Sequence, residues 1–270
     1  MLQIILFVIM IGLLAGQILR WAREEGFEGD VPVDLGDRYD EDPDDVGDDP
    51  RDLPWIATWS AADRVAREGQ ICIPTYEEIG PLGTMIYTTS KSCESGMPHT
   101  RAGNRIIIPD SVPLPERAEV IAHELVHIHQ RRYGPEWMRF YQMNWQFTFS
   151  PEPPTAMPTA IQQARRSNPD TWDTQSGGPW PCWRERWWPV PVYRNAQRPQ
   201  LRDAQTIWWD DKTRQILVEP PTEWIQFFGR PSQDEHPHEL AATLYVAADT
   251  TTEAGRRLQS WARAQKNPLN

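Results

Sequence analysis

Apolar and polar positions divide this chain of 270 residues into an apolar start, a polar stretch and a region with regular periodicity. Leu2–Leu19 is an apolar run broken only by two glutamines and two glycines, and its length is at the lower end of what spans a bilayer. Residues 24–53 are acidic and punctuated by Gly and Pro, a composition that cannot bury enough surface to order itself. We therefore predict a transmembrane anchor, an acidic disordered linker and one folded domain, over residues 1–20, 21–53 and 54–270.

A cleaved signal peptide is the alternative interpretation of the apolar run. Signal peptides carry basic residues ahead of the run and a small-residue cleavage site after it. Here no Lys or Arg precedes Leu2, and Leu13-Leu14-Ala15 fits a cleavage site poorly, so an uncleaved anchor is favoured and the alternative stays open. Arg20 and Arg23 follow the run, and the positive-inside rule then favours the cytoplasmic side of the membrane for the domain.

The first part of the folded domain is typical of short strands followed by two helices. Ser60 can cap a helix that runs to Arg67. Runs rich in β-branched residues predict strands at Gln70–Pro74, Thr84–Thr89 and Asn104–Ile108. Apolar residues at helical spacing predict a long helix over about Arg117–Arg132. Pro135 then opens a second helix, with an aromatic stripe of Trp137, Tyr141 and Trp145.

The C-terminal half is rich in Trp and Pro before regular periodicity returns. Residues from about 150 to 200 follow neither period, so we predict an irregular insertion with most of its Trp side chains buried on the domain. Short strands are predicted at Val190–Tyr193, Thr206–Trp209 and Ile216–Glu219. Pro237 suits the first turn of a helix. A capping box from Thr250 to Glu253 predicts the final helix, to about Lys266.

The long helix contains the most specific chemical signal in the chain, His123-Glu124-Leu-Val-His127. Residues four apart on a helix lie on one face, so two imidazoles can bind one metal ion while the adjacent carboxylate takes a proton from the attacking water. This H-E-x-x-H pattern is the signature of zinc hydrolases. With 6 His in the chain, a chance occurrence is improbable, on the order of one in a hundred.

Catalytic zinc usually has three protein ligands, so the motif is incomplete by itself. The extended pattern H-E-x-x-H-x-x-G-x-x-H fails, because Gln130 and Tyr133 occupy the positions of its glycine and third histidine. His129 points about 200° away from His127 around the helix. We interpret His129 as a surface histidine, or as a residue that supports a metal ligand without binding the metal itself.

Glu239 is the best candidate for the third ligand. It opens a predicted helix, and Ala241 and Ala242 are small enough to let that helix approach the motif helix. The pair of motifs, His123-Glu-Leu-Val-His127 and Glu239-Leu-Ala-Ala242, resembles the gluzincin type of zinc metallopeptidase. It is most similar to the minimal members, whose third ligand lies in an E-x-x-A helix. The resemblance covers roughly residues 104–133 and 234–247.

This resemblance implies a fold, a cofactor and a reaction. The fold is α+β and zincin-like, with a small mixed sheet, the H-E-x-x-H helix and C-terminal helices. His123, His127 and Glu239 would bind one zinc ion, and Glu124 would be the general base in the hydrolysis of peptide bonds. The chain departs from larger gluzincins where they have an Asp four residues after the ligand Glu, because Thr243 stands there.

Two further roles have candidates in the sequence. His99, His236 and Tyr245 are candidates for stabilising the oxyanion, and each also has a structural interpretation. For His99 the favoured interpretation is a loop histidine bonded to backbone. Ile106–Ile108, just before the motif helix, is the candidate edge strand for pairing with an extended peptide substrate.

Charge and cysteine content exclude other classes of protein. The net charge is −11, and residues 24–53 hold fourteen acidic residues against two arginines, so the remainder is close to neutral and lacks the basic face that nucleic-acid binding needs. Cys72, Cys93 and Cys182 form no C-x-x-C unit, which argues against a cysteine-zinc site. Their odd number favours a reducing compartment, with one disulfide plus one free thiol as the alternative.

Three hypotheses follow. The leading one is a membrane-tethered zinc metallopeptidase acting on a peptide or protein. The second is a catalytically inactive, membrane-anchored structural or interaction protein that keeps zinc to hold its helices together. The third is a protein without metal in which the motif is accidental, and the context of Glu239 makes it the weakest.

Overall fold

The structure, a computed structural model, describes residues 59–68, 72–101, 103–167, 179–231 and 236–265. Within these residues the chain forms nine strands and seven helices. The strands are β1 (Pro74–Ile79), β2 (Met85–Thr89), β3 (His99–Arg101), β4 (Arg105–Pro109), β5 (Phe147–Ser150), β6 (Trp180–Trp183), β7 (Trp187–Tyr193), β8 (Ala204–Asp210) and β9 (Gln215–Leu217). The helices are α1 (Ala61–Arg67), α2 (Leu114–Arg132), α3 (Gly134–Trp145), α4 (Thr159–Ala164), α5 (Thr222–Phe228), α6 (Pro237–Val246) and α7 (Glu253–Ala264).

The predicted anchor and the acidic linker lie outside the described residues. Among the residues that are described, no helix is both long enough and apolar enough to cross a membrane. The transmembrane anchor at residues 2–19 therefore stays a prediction.

The first four strands form a mixed sheet in the order β1-β2-β4-β3. β2 and β4 run parallel, whereas the β1–β2 and β3–β4 pairs are antiparallel. Apolar side chains of β2 and β4 pack against the motif helix α2, forming a cluster of Ile86, Ile106, Ile108, Leu125 and Ile128. This shared core fixes α2 across the sheet. The predicted strands at 84–89 and 104–108 are confirmed, while the one at 70–74 is displaced to β1.

The interpretation of Ile106–Ile108 as an edge strand is wrong. These residues lie in β4, which pairs with β2 on one side and with β3 on the other. The edge strand on that side is β3, and its three residues are all buried. Three residues are too few for a strand period to appear in the sequence.

The remaining strands form a second, fully antiparallel sheet in the order β5-β6-β7-β8-β9. Two of its strands, β6 and β7, lie in the segment at 150–200, so the prediction that this segment is irregular is wrong at residues 180–183 and 187–193. The prolines misled the prediction, since Pro189 and Pro191 lie inside β7. Beyond the single pairing of Trp183 with Trp187, β7 has a ladder only with β8. Proline is tolerated on a strand side that needs no backbone donor.

A large aromatic core joins the second sheet to the C-terminal helices. The prediction that most Trp side chains of this segment are buried is confirmed, because Trp180, Trp183, Trp187 and Trp188 are each at most 9% exposed. Trp183 packs against residues of α5 and lies in the same cluster as α6. On α6, the cluster includes three fully buried small or aliphatic residues, Leu240, Ala241 and Ala242. The core therefore fixes the position of the helix that carries Glu239.

The capping residue of the final helix lies two positions after Thr250, the residue that the proposed capping box predicted. Thr252 is the capping residue of α7, and its hydroxyl accepts a hydrogen bond from the backbone nitrogen of Gly255 at 2.9 Å. Thr252 is itself held by a hydrogen bond to Asp249. Thr250, Thr251 and Thr252 could each cap the helix, so the sequence alone does not identify the capping residue. The hydrogen bond to Asp249 favours Thr252.

Cys72 and Cys93 form a disulfide across a sequence separation of 21 residues, and Cys182 is a buried free cysteine. This pairing matches the alternative prediction for the three cysteines, one disulfide plus one free thiol. Structural disulfides persist in oxidising compartments, and the compartment of this protein stays a prediction. The side of the membrane on which the domain lies stays a prediction.

The N-terminal helix α1 is held to the second sheet by the buried carboxylate of Asp63. Ser60 and Asp63 form the predicted cap, with Ser60 Oγ donating to Asp63 Oδ2 at 2.6 Å. The backbone nitrogen and hydroxyl of Ser167 donate to the same oxygen. Tyr193 on β7 donates to Oδ1 at 2.7 Å, and Arg67 pairs with this carboxylate at 3.2 Å.

We expect Asp63 to make the stability of the protein depend on pH. Burial raises the pKa of this carboxyl, but Arg67 and the hydrogen bonds outweigh burial and hold the pKa below its usual value. A depressed pKa means that the stabilisation is fully present above the unfolded-state pKa of about 4 and is lost as the pH falls through the folded-state value. At pH 7, Asp63→Asn should lower the free energy of unfolding by about 1–3 kcal/mol.

Denaturant unfolding of the wild type and of Asp63→Asn, repeated from pH 7 down to pH 3, measures this dependence. The difference in unfolding free energy between the two proteins should narrow as the pH falls. A difference that stays constant over this range would show that the ionised carboxylate of Asp63 contributes nothing.

Candidate metal centre

Three side chains from two helices meet at one point. Nε2 of His123 lies 3.0 Å from Oε2 of Glu239 and 3.0 Å from Nε2 of His127, and the distance from His127 Nε2 to Glu239 Oε2 is 3.3 Å. Tetrahedral zinc with bonds of 2.0–2.1 Å separates its ligand atoms by about 3.3 Å. The three atoms are therefore close to the spacing that one zinc ion requires, and the donor set of two imidazoles and one carboxylate fits it.

Local helix geometry explains why these side chains meet. His123 and His127 are one turn apart on α2 and share a face. Glu239 lies in the first turn of α6, which begins at Pro237 and is capped by His236. α6 packs against α2, and the absence of large side chains at Ala241 and Ala242 permits the approach.

Glu239 is a carboxylate at neutral pH. Burial raises the pKa of this group, but the electrostatic interactions and hydrogen bonds with His127 and His123 outweigh burial and hold the pKa well below its usual value. A buried negative charge between two imidazoles is suited to a cation. Oxygen and nitrogen lone pairs that face one another at about 3 Å repel unless a proton or a metal ion lies between them.

The centre opens on one side. The side chain of His123 is 17% exposed, whereas those of His127 and Glu239 are 1% and 7% exposed. A catalytic metal needs one coordination position that water and substrate can reach. This asymmetry places the accessible side of the centre next to His123.

Glu124 directly follows His123 on α2 and is among the buried residues of that helix. Its residue is 4% exposed, so its carboxyl group is largely removed from bulk solvent. A general base must lie within hydrogen-bond reach of the proton that it takes, and the position of Glu124 next to His123 is the basis for that prediction.

Gln130, which the sequence interpretation did not assign to the site, supports His127. Gln130 Oε1 lies 2.7 Å from Nδ1 of His127, on the side of the ring away from the ligand atom. The amide nitrogen of Gln130 donates to the backbone oxygen of His238 at 3.0 Å and to the hydroxyl of Tyr141 at 3.3 Å. Gln130 could have been found from its position three residues after His127, since that spacing also shares a helix face.

The predicted aromatic stripe of α3 is core, but one of its members reaches the site. Trp137, Tyr141 and Trp145 are all fully buried. The hydroxyl of Tyr141 lies 2.8 Å from Nδ1 of His238. The same hydroxyl accepts a hydrogen bond from Gln130, and burial keeps the pKa of His238 well below its usual value.

His236, one of the three oxyanion candidates, lies at the start of the helix that carries Glu239. It caps α6, where its Nδ1 accepts a hydrogen bond from the backbone nitrogen of His238 at 3.1 Å. Burial lowers its pKa to about 3, so the ring is neutral at pH 7. With Nδ1 accepting, the proton of the ring is on Nε2.

The surroundings of His99 and Tyr245 favour a structural role for each residue. Nδ1 of His99 lies 3.2 Å from the backbone oxygen of Met97, and Nε2 accepts from Nε of Arg101 at 3.1 Å. This is the backbone-bonded histidine that the sequence favoured, although it lies in β3 rather than in a loop. Tyr245 is part of the large aromatic core.

His129 is not a surface residue. It is buried between α2 and α3, and its Nδ1 accepts a hydrogen bond from Nε1 of Trp137 at 2.9 Å. Its ring also stacks against Tyr133. His129 therefore joins two helices.

No family model, no curated protein and no solved structure matches this chain. The gluzincin resemblance and the zincin-like fold consequently stay predictions that rest on the motif residues and on the site geometry.

Proposed function

We propose that this chain is a zinc-dependent metallopeptidase, tethered to a membrane by residues 2–19, that hydrolyses peptide bonds. The observation that carries the proposal is the convergence of His123, His127 and Glu239, whose ligand atoms lie 3.0–3.3 Å apart. Two imidazoles and one carboxylate, with one accessible side, are typical of catalytic rather than structural zinc.

The chain supplies the remaining groups for hydrolysis. A zinc ion, when bound, would act as a Lewis acid and lower the pKa of water in the fourth position. Glu124 takes the proton of the attacking water and delivers it to the amine nitrogen as the carbon–nitrogen bond breaks. A peptide approaches from the accessible side, next to His123, and His236, which caps the helix that carries Glu239, is the candidate for stabilising the oxyanion.

A zinc-stabilised, catalytically inactive structural protein is the second candidate. One observation favours it: His99 and Tyr245, two of the three candidates for stabilising an oxyanion, are occupied by structural contacts. In this second candidate zinc would serve to join α2 to α6, and Glu124 would have no chemical role.

Metal removal separates the two candidates. We expect the purified full chain, in detergent, to contain one zinc per molecule and to cleave an unstructured protein such as casein. A chelator should abolish the cleavage and one equivalent of zinc should restore it, because the ligands are ready-made. Metal analysis and gel-based cleavage measure both quantities.

The outcomes are distinct. Bound zinc without cleavage, in wild-type protein, would favour the structural candidate. A wild-type chain that binds no zinc at micromolar concentrations would remove both candidates. Cleavage that survives complete metal removal would contradict the proposed reaction.

A further inference from the structure

We propose that Gln130 is a positioning residue that aligns two ligands of the metal centre through a single amide group. This inference rests on the proposed zinc centre and deepens it. Gln130 is 1% exposed, so water does not compete for its hydrogen bonds. Its amide reaches both helices that supply ligands.

The hydrogen-bond partners determine which way the amide faces. The backbone oxygen of His238 can only accept, so the group 3.0 Å from it must be the amide nitrogen of Gln130. The amide oxygen therefore faces His127, at 2.7 Å from Nδ1. Because that oxygen can only accept, the proton of the His127 ring lies on Nδ1.

This arrangement prepares His127 for metal binding. A neutral imidazole with its proton on Nδ1 carries its lone pair on Nε2. Nε2 is the atom that faces His123 and Glu239. Gln130 thus selects the tautomer that binds metal and holds the plane of the ring, as hydrogen-bond partners of ligating histidines do in other metal sites.

The same amide controls the second helix. His238 directly precedes Glu239, and the bond from Gln130 to the backbone oxygen of His238 ties the first turn of α6 to α2. Tyr141 strengthens this tie, since its hydroxyl bridges Gln130 and the ring of His238. One side chain therefore sets the distance between the imidazole of His127 and the carboxylate of Glu239.

Two substitutions separate positioning from general stability. Gln130→Met keeps the length of the side chain but removes its three hydrogen bonds, and we expect it to weaken zinc binding by about 10–100-fold. Gln130→Glu keeps an oxygen facing His127 and, when protonated in this buried place, also donates to His238. Its zinc affinity should lie closer to that of the wild type than to that of Gln130→Met.

The matched control is Gln142→Met, because Gln142 is an exposed glutamine on α3. It should leave zinc affinity unchanged. Zinc dissociation constants are measured for the full chain by competition with a chromophoric chelator. Thermal unfolding of the zinc-free proteins checks that each variant is folded.

A spectroscopic readout reports the tautomer directly. In metal-free protein labelled with ¹⁵N in the histidine rings, we expect NMR to place the proton of His127 on Nδ1 in the wild type and to show loss of this preference in Gln130→Met. Equal zinc affinities of the wild type and Gln130→Met, or a wild-type His127 with its proton on Nε2, would overturn the inference. Failure of the wild type to bind any zinc would instead overturn the proposed function.

Discussion

Glu124→Gln is expected to reduce peptide cleavage by at least about 100-fold, within the range of 10²–10⁴ that a general base contributes, while zinc stays bound. The amide has the same volume as the carboxylate, so the buried position remains filled. It cannot take a proton from the attacking water. None of the three converging ligand atoms is changed, so the metal content should remain one per chain.

The matched control is Glu119→Gln, a substitution of an exposed glutamate on the same helix. It removes the same charge from α2 without touching the site, and cleavage should be unchanged. Initial rates with an unstructured protein substrate, normalised to bound zinc, give the comparison. Glu124→Gln protein that cleaves at the wild-type rate would contradict the role of Glu124 as the base.

Glu239→Ala is expected to weaken zinc binding by more than the 10–100-fold typical of residues that only support a ligand, because a ligand itself is removed. Glu239 is the one negative charge among the three converging groups, with both imidazoles within 3.3 Å of its Oε2. Without it, two neutral nitrogens hold the cation. Cleavage should be lost together with the metal and return only at zinc concentrations high enough to fill the weakened site.

Two further substitutions test whether the charge or the shape of Glu239 matters. Glu239→Gln keeps the shape and removes the charge, while Glu239→Asp keeps the charge and withdraws the oxygen by one methylene. Both variants should bind zinc more weakly than the wild type. If the charge of residue 239 matters more than its shape, Glu239→Gln should have the lower zinc affinity of the two. Competition titration with a chelator measures the series, and wild-type affinity in Glu239→Ala would exclude Glu239 as a ligand.

Together these two predictions separate chemistry from metal binding. Loss of cleavage with zinc retained is expected at Glu124, and loss of both is expected at Glu239. A zinc-stabilised structural protein would respond only at Glu239, through lower thermal stability. The pair therefore also distinguishes the two candidate functions.

The elements with a strong local signal were predicted well. The cap at Ser60 and the start of α6 at Pro237 are present because they depend on neighbouring residues. The long helix was predicted about three residues short at its N-terminal end, where Leu114 and Pro115 form a first turn. Periodicity carries the interior of a helix, whereas its ends depend on flanking contacts.

The second sheet was predicted only in part. β8, β9 and the part of β7 at Val190–Tyr193 follow the strand period and were expected, with a hairpin at Asp210–Lys212. β5, β6 and the start of β7 at residues 187–189 were missed. In β6 and β7, Pro and Trp conceal the period of strands whose residues are nearly all buried. Only the pairing with β8 shows that these prolines lie in a strand.

By itself, the sequence determined that two imidazoles share one face of a helix next to Glu124, since helical spacing is a local property. It also singled out Glu239 as a candidate, by motif resemblance. Tertiary structure decided that Glu239 meets those imidazoles, that β4 is interior, and that Gln130 bonds to both helices. The contacts that join α2 to α6 link residues more than 100 positions apart in the chain, and their distances depend on how the two helices pack, which no local pattern encodes.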